Sequence, residues 1–398
     1  MMKRMLIGLS LVIGSLSLNA SELSATTVLK VQKAQQFALE ENLTQAIEVL
    51  SSVETSRLYD KAFVARMLGV FYWQSGQPKA AIKQIKYAVE SGELQDEQAW
   101  TTERMLADLY VNEQQFEKAL PHYYQLLKSV PPSQKVDDLW LRIAQTHYQI
   151  AQWKKVLHAL DKYQTVTPLN TKNPLSLKLG AQLQLEQWKA AIPTLEKLIM
   201  LEPDQASWWR QLVGLHLRLD QRRQALNSLA LAKLQGVELT DKDKHLLAQL
   251  YAQNGIPERA AQVLQTLSES ESDADQDLTL LKEQATYWQQ AKEWQAAIRT
   301  WTKAAEQDEQ YYWQVALLYN QQGQFKKALQ ALDKVTTREK KADVALARVH
   351  ALYKLNQLDN ALYQAKQAEN LNPSSHAKGW IKFLSRLQKV QQAQTANI

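Results

Sequence analysis

One pattern recurs ten times along this 398-residue chain, and a chain built that way folds by stacking copies rather than by wrapping one central core. A small residue marks each copy: Ala46, Ala81, Ala119, Val156, Ala191, Ala225, Ala260, Ala297, Ala328 and Ala361. Their spacings are 35, 38, 37, 35, 34, 35, 37, 31 and 33 residues, near the period of about 34 of a two-helix repeat. Twelve residues before the marker lies a second small residue with an aliphatic ahead of it, as in Leu68-Gly69, Leu106-Ala107, Ile143-Ala144, Leu247-Ala248 and Val315-Ala316. An aromatic often follows three residues on, at Tyr72, Tyr110, Tyr251, Trp288 and Tyr319.

Each of these choices has a physical cause. Small residues let paired helices approach closely, and aromatics fill the wedge between repeats. Gly76, Gly255 and Gly323 fall where a hairpin turns, a place that favours positive φ. Pro131, Pro168, Pro203 and Pro373 fall where second helices end, because proline cannot continue a helix. The combination resembles the tetratricopeptide repeat (TPR) family over residues 25–373. That resemblance implies an all-α fold: a right-handed TPR superhelical solenoid of about ten helical hairpins, closed by a C-terminal capping helix. Two copies depart from the pattern. The fourth has Val156 where alanine is usual, and in the fifth Leu179-Gly180 sits one residue late relative to Ala191. Local distortion is expected at both.

The chain reads as one continuous array over residues 25–373, preceded by a leader (1–20) and followed by a capping helix and tail (374–398). In the leader, Lys3 and Arg4 precede a largely apolar run from Met5 to Leu18, and Leu18-Asn19-Ala20 ends in a small residue. That is the grammar of a secretory signal peptide. The apolar run falls short of the ~20 residues that span a bilayer, so cleavage is expected and the mature protein is expected to be soluble. The chain has no cysteine, which excludes a lipoprotein anchor and a disulfide-braced fold. Together these features point to the periplasm. The net charge of +6 falls to +4 once Lys3 and Arg4 leave, too mild to mark a nucleic-acid surface.

Catalytic chemistry finds no foothold. The seven histidines include no HExxH or other tight ligand spacing. His147 and His216 hold the aromatic position of their repeats and are expected to be packed. No glycine cluster could cradle a phosphate, and no GxSxG elbow occurs. Glu40-Glu41 and Asp137-Asp138 are adjacent on helix surfaces and point in different directions. The acidic stretch from Ser268 to Asp277 contains Asp273, Asp275 and Asp277 in a D-x-D-x-D pattern. Leu278 and Gln284 stand where a calcium loop would need glycine and a bidentate glutamate, so the stretch reads as a linker. No enzyme, cofactor or metal is expected.

Twelve tryptophans are mostly absorbed by the repeat. Trp140 and Trp209 open first helices, Trp153, Trp188 and Trp294 start second ones, and Trp288 and Trp301 fill packing positions. Trp73, Trp208 and Trp313 lack such a duty. In the TPR family the first helices line a concave groove, and alignment to it implies a lining of Arg66, Trp73, Arg104, Asn112, Tyr148, Arg210, Arg218, His245, Gln249, Gln253, Gln290, Trp313, Asn320, His350, Tyr353 and Lys354. Cations outnumber acids there, Asp108 being the main exception. Such a lining suits a protein or extended peptide partner, with arginines for carboxylates and amides for peptide backbone; the alternative is that the arginines only solvate the helices. The family's carboxylate clamp pairs a lysine with an asparagine four residues on, whereas here Arg66 precedes Val70 and Arg104 precedes Asp108.

After Pro373, Trp380, Ile381, Leu384 and Leu387 recur at helical spacing while Lys378, Lys382, Arg386 and Lys389 take other faces. This reads as a cap, with contact to anionic lipid as the less favoured alternative. Segments 59–69 (YDKAFVARMLG) and 250–261 (LYAQNGIPERAA) resemble exported TPR proteins that accompany TonB-type energy transduction systems. That narrower resemblance implies a scaffold that tethers a TonB-type transducer complex during iron-siderophore uptake. A scaffold for cell-envelope assembly and a membrane-proximal adaptor are the other readings of the same features.

Overall fold

The computed structural model describes residues 23–268, 277–337 and 340–395, and those residues hold α-helix and short 3-10 turns but no strand. The leader and residues Asp273 and Asp275 lie outside them. The chain divides into two compact units, one up to Glu202 and one from Pro203.

In the first unit, five hairpins follow one another: α1 Ala25–Leu39 with α2 Leu43–Ser51, α3 Leu58–Gln74 with α4 Pro78–Glu90, α5 Asp96–Asn112 with α6 Phe116–Leu126, α7 Val136–Gln149 with α8 Trp153–Gln164, and α9 Lys172–Gln184 with α10 Trp188–Leu201. The second unit repeats the plan with α11 Ala206–Arg218 and α12 Arg222–Leu234, α13 Asp241–Gln253 and α14 Pro257–Ser268, α15 Leu278–Gln290 and α16 Trp294–Gln307, α17 Tyr312–Gln321 and α18 Phe325–Asp333, and α19 Lys341–Lys354 and α20 Leu358–Leu371. A last helix, α21 Ser375–Thr395, follows. Within each unit the substantial helix contacts join a hairpin to itself or to its neighbour. All ten marker residues, from Ala46 to Ala361 and including Val156, have 0% exposure.

Every hairpin turns in the same way. Seven residues after the first-helix small position comes a residue with φ between 55° and 76°: Glu41, Gly76, Gln114, Ala151, Glu186, Asp220, Gly255, Lys292, Gly323 and Asn356. The next N–H then reaches back five residues to a carbonyl of the first helix at 2.7–3.0 Å, as in Gln77 to Tyr72 and Gln221 to His216. This is the Schellman closure of a helix C-terminus. The three glycines expected at turns are there, and seven turns do the same with larger residues.

That register corrects the expected distortion of the fifth copy. Leu179 occupies the small position and Glu186 the left-handed turn, so the hairpin is in phase. Gly180 has a separate duty: a Cβ there would lie 2.9 Å from Cε2 of Tyr148 on the preceding hairpin.

Two anchors hold the ends of the described chain. Asp60 of α3, with 0% exposure, accepts from the backbone N–H and hydroxyl of Ser24, from the hydroxyl of Thr27 at 2.9 Å, and from that of Thr55. It thereby fixes the start of α1. At the other end, α21 buries Ala377 and Leu384 fully against the α19–α20 hairpin, the capping role its apolar spacing implies.

Candidate partner-binding faces

Every groove residue expected from sequence lies on a first helix, yet several are already committed to neighbours. On the first unit, Arg104 of α5 contacts the Asp138 carboxylate of α7 and lies 3.9 Å from Asp108. Arg142 of α7 reaches Asp108 Oδ1 at 2.9 Å and Asp138 Oδ2 at 3.1 Å, and the Tyr123 hydroxyl donates to the same Asp108 oxygen. Two arginines and two aspartates therefore alternate between adjacent hairpins. Burial pushes the Asp108 carboxyl above the usual aspartate range, opposed by the Arg142 guanidinium. Burial alone would lower Arg142, but Asp108 and Asp138 hold it above the ordinary arginine value. Arg104 is thus a structural ion pair rather than an open cation, and Asp108 is its counter-charge. Tyr148 is also spoken for, wedged edge-on against Trp153 at 5.0 Å and facing Gly180. Asn112 is half-buried near the end of α5.

Arg66 differs. It stands three residues before Gly69, as Arg104 stands before Ala107 and Arg210 before Val213. The positions that supply Asp108 and Asp138 to Arg104 are filled for Arg66 by Val70 and Thr101, and the one that supplies Asp243 to Arg210 is filled by Thr102. Both threonine hydroxyls donate to the Gln98 carbonyl instead. The Arg66 Nε is buried with no hydrogen-bond acceptor among the described residues, and burial lowers the pKa of the guanidinium. Trp73, two helical turns along the same face, is half-buried against the neighbouring core, so it has the packing duty that sequence did not assign.

In the second unit Arg210 lies 3.0 Å from Asp243 Oδ2, and Asp243 also closes the capping box of α13 with Thr240. His245 Nε2 is 2.6 Å from Glu283 Oε2, the Tyr287 hydroxyl donates to Glu283 Oε1 at 2.7 Å, and Gln249 lies 3.5 Å from the other histidine nitrogen. Arg210 and His245 accordingly stitch first helices together, and Gln249 contacts His245 within α13. Arg218, Gln253 and Gln290 are exposed. His350 sits edge-on to Phe325 at 5.8 Å, its pKa lowered by burial and then by Lys354. Tyr353 contacts Trp380 and Phe383, with Lys354 over its ring. His147 and His216 are buried, each 2.9 Å from a glutamine five residues on.

One strip of α17 remains presented. Trp313, half-buried with Lys340 5.4 Å above its ring, Leu317, 43% exposed, and Asn320 recur at helical spacing. The Asn320 Oδ1 and the nearby Gln314 Oε1 are buried without a donor among the described residues. Leu317 and Gln314 were not among the residues expected from sequence. Their signal was present, since an apolar residue between Trp313 and Asn320 on one helical face is a feature of the residue pattern alone.

Among the described residues no group of three or more His, Asp or Glu side chains could hold a metal, and no helix is long and apolar enough to cross a membrane. The described residues define a class: an all-α array of helical hairpins. Residues 309–341, spanning α17 and α18, match the sequence model of the tetratricopeptide repeat. A tetratricopeptide repeat protein from Parabacteroides merdae is 17% identical, covering 66% of this chain and 99% of its own, with a TM-score of 0.39. MamA from Desulfovibrio magneticus RS-1 is 18% identical over 44% of this chain and 96% of its own, with a TM-score of 0.35. No curated protein matches the chain.

Proposed function

We propose that this chain is a non-catalytic scaffold that grips extended segments of partner proteins on its first helices, receiving an acidic side chain at Arg66. The carrying observation is the uncompensated guanidinium. A partly buried cation without a counter-charge is costly, and its counterparts Arg104 and Arg210 are both paired within the chain. A partner carboxylate at Arg66 would accept two parallel bonds. On α17, half-buried Trp313 and exposed Leu317 offer an apolar anchor for a partner side chain.

The narrower reading is a periplasmic protein that assists TonB-dependent iron-siderophore uptake by holding components of the transducer complex near one another. It is supported by the leader and by segments 59–69 and 250–261. Crosslinking in the periplasm of iron-starved cells tests both levels. Capture of a TonB-type transducer by wild type and its loss in Arg66→Gln is the expected result. Equal capture by both forms would remove Arg66 from the site, and capture of envelope-assembly proteins alone would remove the transport role.

A further inference from the structure

We propose that α21 also docks this protein on an anionic lipid bilayer. Its inner face, Ala377 and Leu384 with half-buried Trp380 and Ile381, is consumed by the last hairpin. Its outer face is not. Lys382, Phe383, Arg386, Lys389 and Val390 recur there at helical spacing, with Phe383 43% and Val390 50% exposed. The sequence of α21 contains no Asp or Glu.

The charges around the helix decide the occupant. Lys378 lies 3.6 Å from Glu369 of α20 and is locally balanced. Asp359, another α20 carboxylate facing α21, accepts from the Gln388 amide rather than from a cation. Lys382, Arg386 and Lys389 have no carboxylate partner among the described residues. The Phe383 ring packs edge-on 5.5 Å from Tyr353 of α19 and 5.8 Å from Trp380, contacts that steady it while leaving 43% of it exposed. An acidic protein surface would answer the three cations but leave no reason for two apolar side chains among them. A bilayer answers both, since lipid phosphates meet the cations while Phe383 and Val390 enter the headgroup boundary of a helix lying flat on the surface.

Vesicle flotation of the exported, purified protein tests this with phosphatidylcholine vesicles, with and without phosphatidylglycerol. Binding is expected only where phosphatidylglycerol is present. Each cation near such a surface contributes about fivefold, so reversing Lys382, Arg386 and Lys389 to Glu should lower binding by at least about a hundredfold with helicity unchanged. Phe383→Ser is a second variant that leaves every charge in place, with an expected loss of roughly tenfold. Absence of binding to the mixed vesicles, equal binding to both kinds, or full binding by either variant would overturn the proposal.

Discussion

Gly69 of α3 and the side chain of Ile85 on α4 approach so closely that even a methyl group on the glycine would overlap the isoleucine. Ile85 is 1% exposed, and its backbone N lies 3.2 Å from the point that methyl would occupy. Gly69→Ala should therefore destabilise the protein by about 1–3 kcal/mol through overpacking. Gly214, inside α11 with nothing within 4 Å of the point a Cβ would occupy, is the matched control. Gly214→Ala should stabilise by about 0.5–1 kcal/mol through helix propensity. Denaturant titration of both compares them directly, and similar effects would contradict the close-contact account.

The anchor at Asp60 makes the first hairpin sensitive to acid. Burial would raise this carboxyl, but the Ser24 and Thr27 hydroxyls, the Ser24 N–H and Arg57 together hold it below its ordinary value of 3.8. A folded pKa below the unfolded one adds stability above about pH 4. That contribution is lost as pH falls through the folded value. The protection of α1 amides, measured against their intrinsic exchange rate at each pH, should fall in acid in the wild type, whereas Asp60→Asn should have lost it already at neutral pH. A protected α1 in that variant would show that the anchor lies elsewhere.

The seven turns closed by non-glycine residues carry left-handed strain. Lys292 at φ 61° and Ala151 at φ 55° are in the region that costs an L-residue about 1–2 kcal/mol. Replacing either by glycine relieves that strain at a smaller cost in unfolded-state entropy. Each change should raise stability by roughly 0.5–1 kcal/mol, and Gly255→Ala should lower it by a similar amount. Thermal melting decides the sign, and a lower midpoint for Lys292→Gly would count against the strain.

The repeat phase, the turn glycines, the post-helix prolines and the packed histidines were readable because each depends on spacing within one hairpin. The state of the groove was not. Whether Arg104 and Arg210 are open or paired depends on Asp138 and Asp243, more than thirty residues away on the next first helix. His245 is tied to Glu283 across a similar gap. The signal that could have found these pairs is a carboxylate at matching phase in the following copy, whose absence sets Arg66 apart. Glu186 and Lys292 hid the turns they make because neither residue type signals positive φ, although both stand seven residues beyond the small position like every other turn residue.

A main-chain hydrogen bond closes each of these ten turns whatever the residue at positive φ, so the side chain of that residue is not needed for the closure. Such corners are natural attachment points. A dye or tag carried on the side chain at Glu41, Asp220 or Asn356 should leave both flanking helices undisturbed, and sequence drift at these three positions is free to alter the protein's outer chemistry without reopening the hairpin.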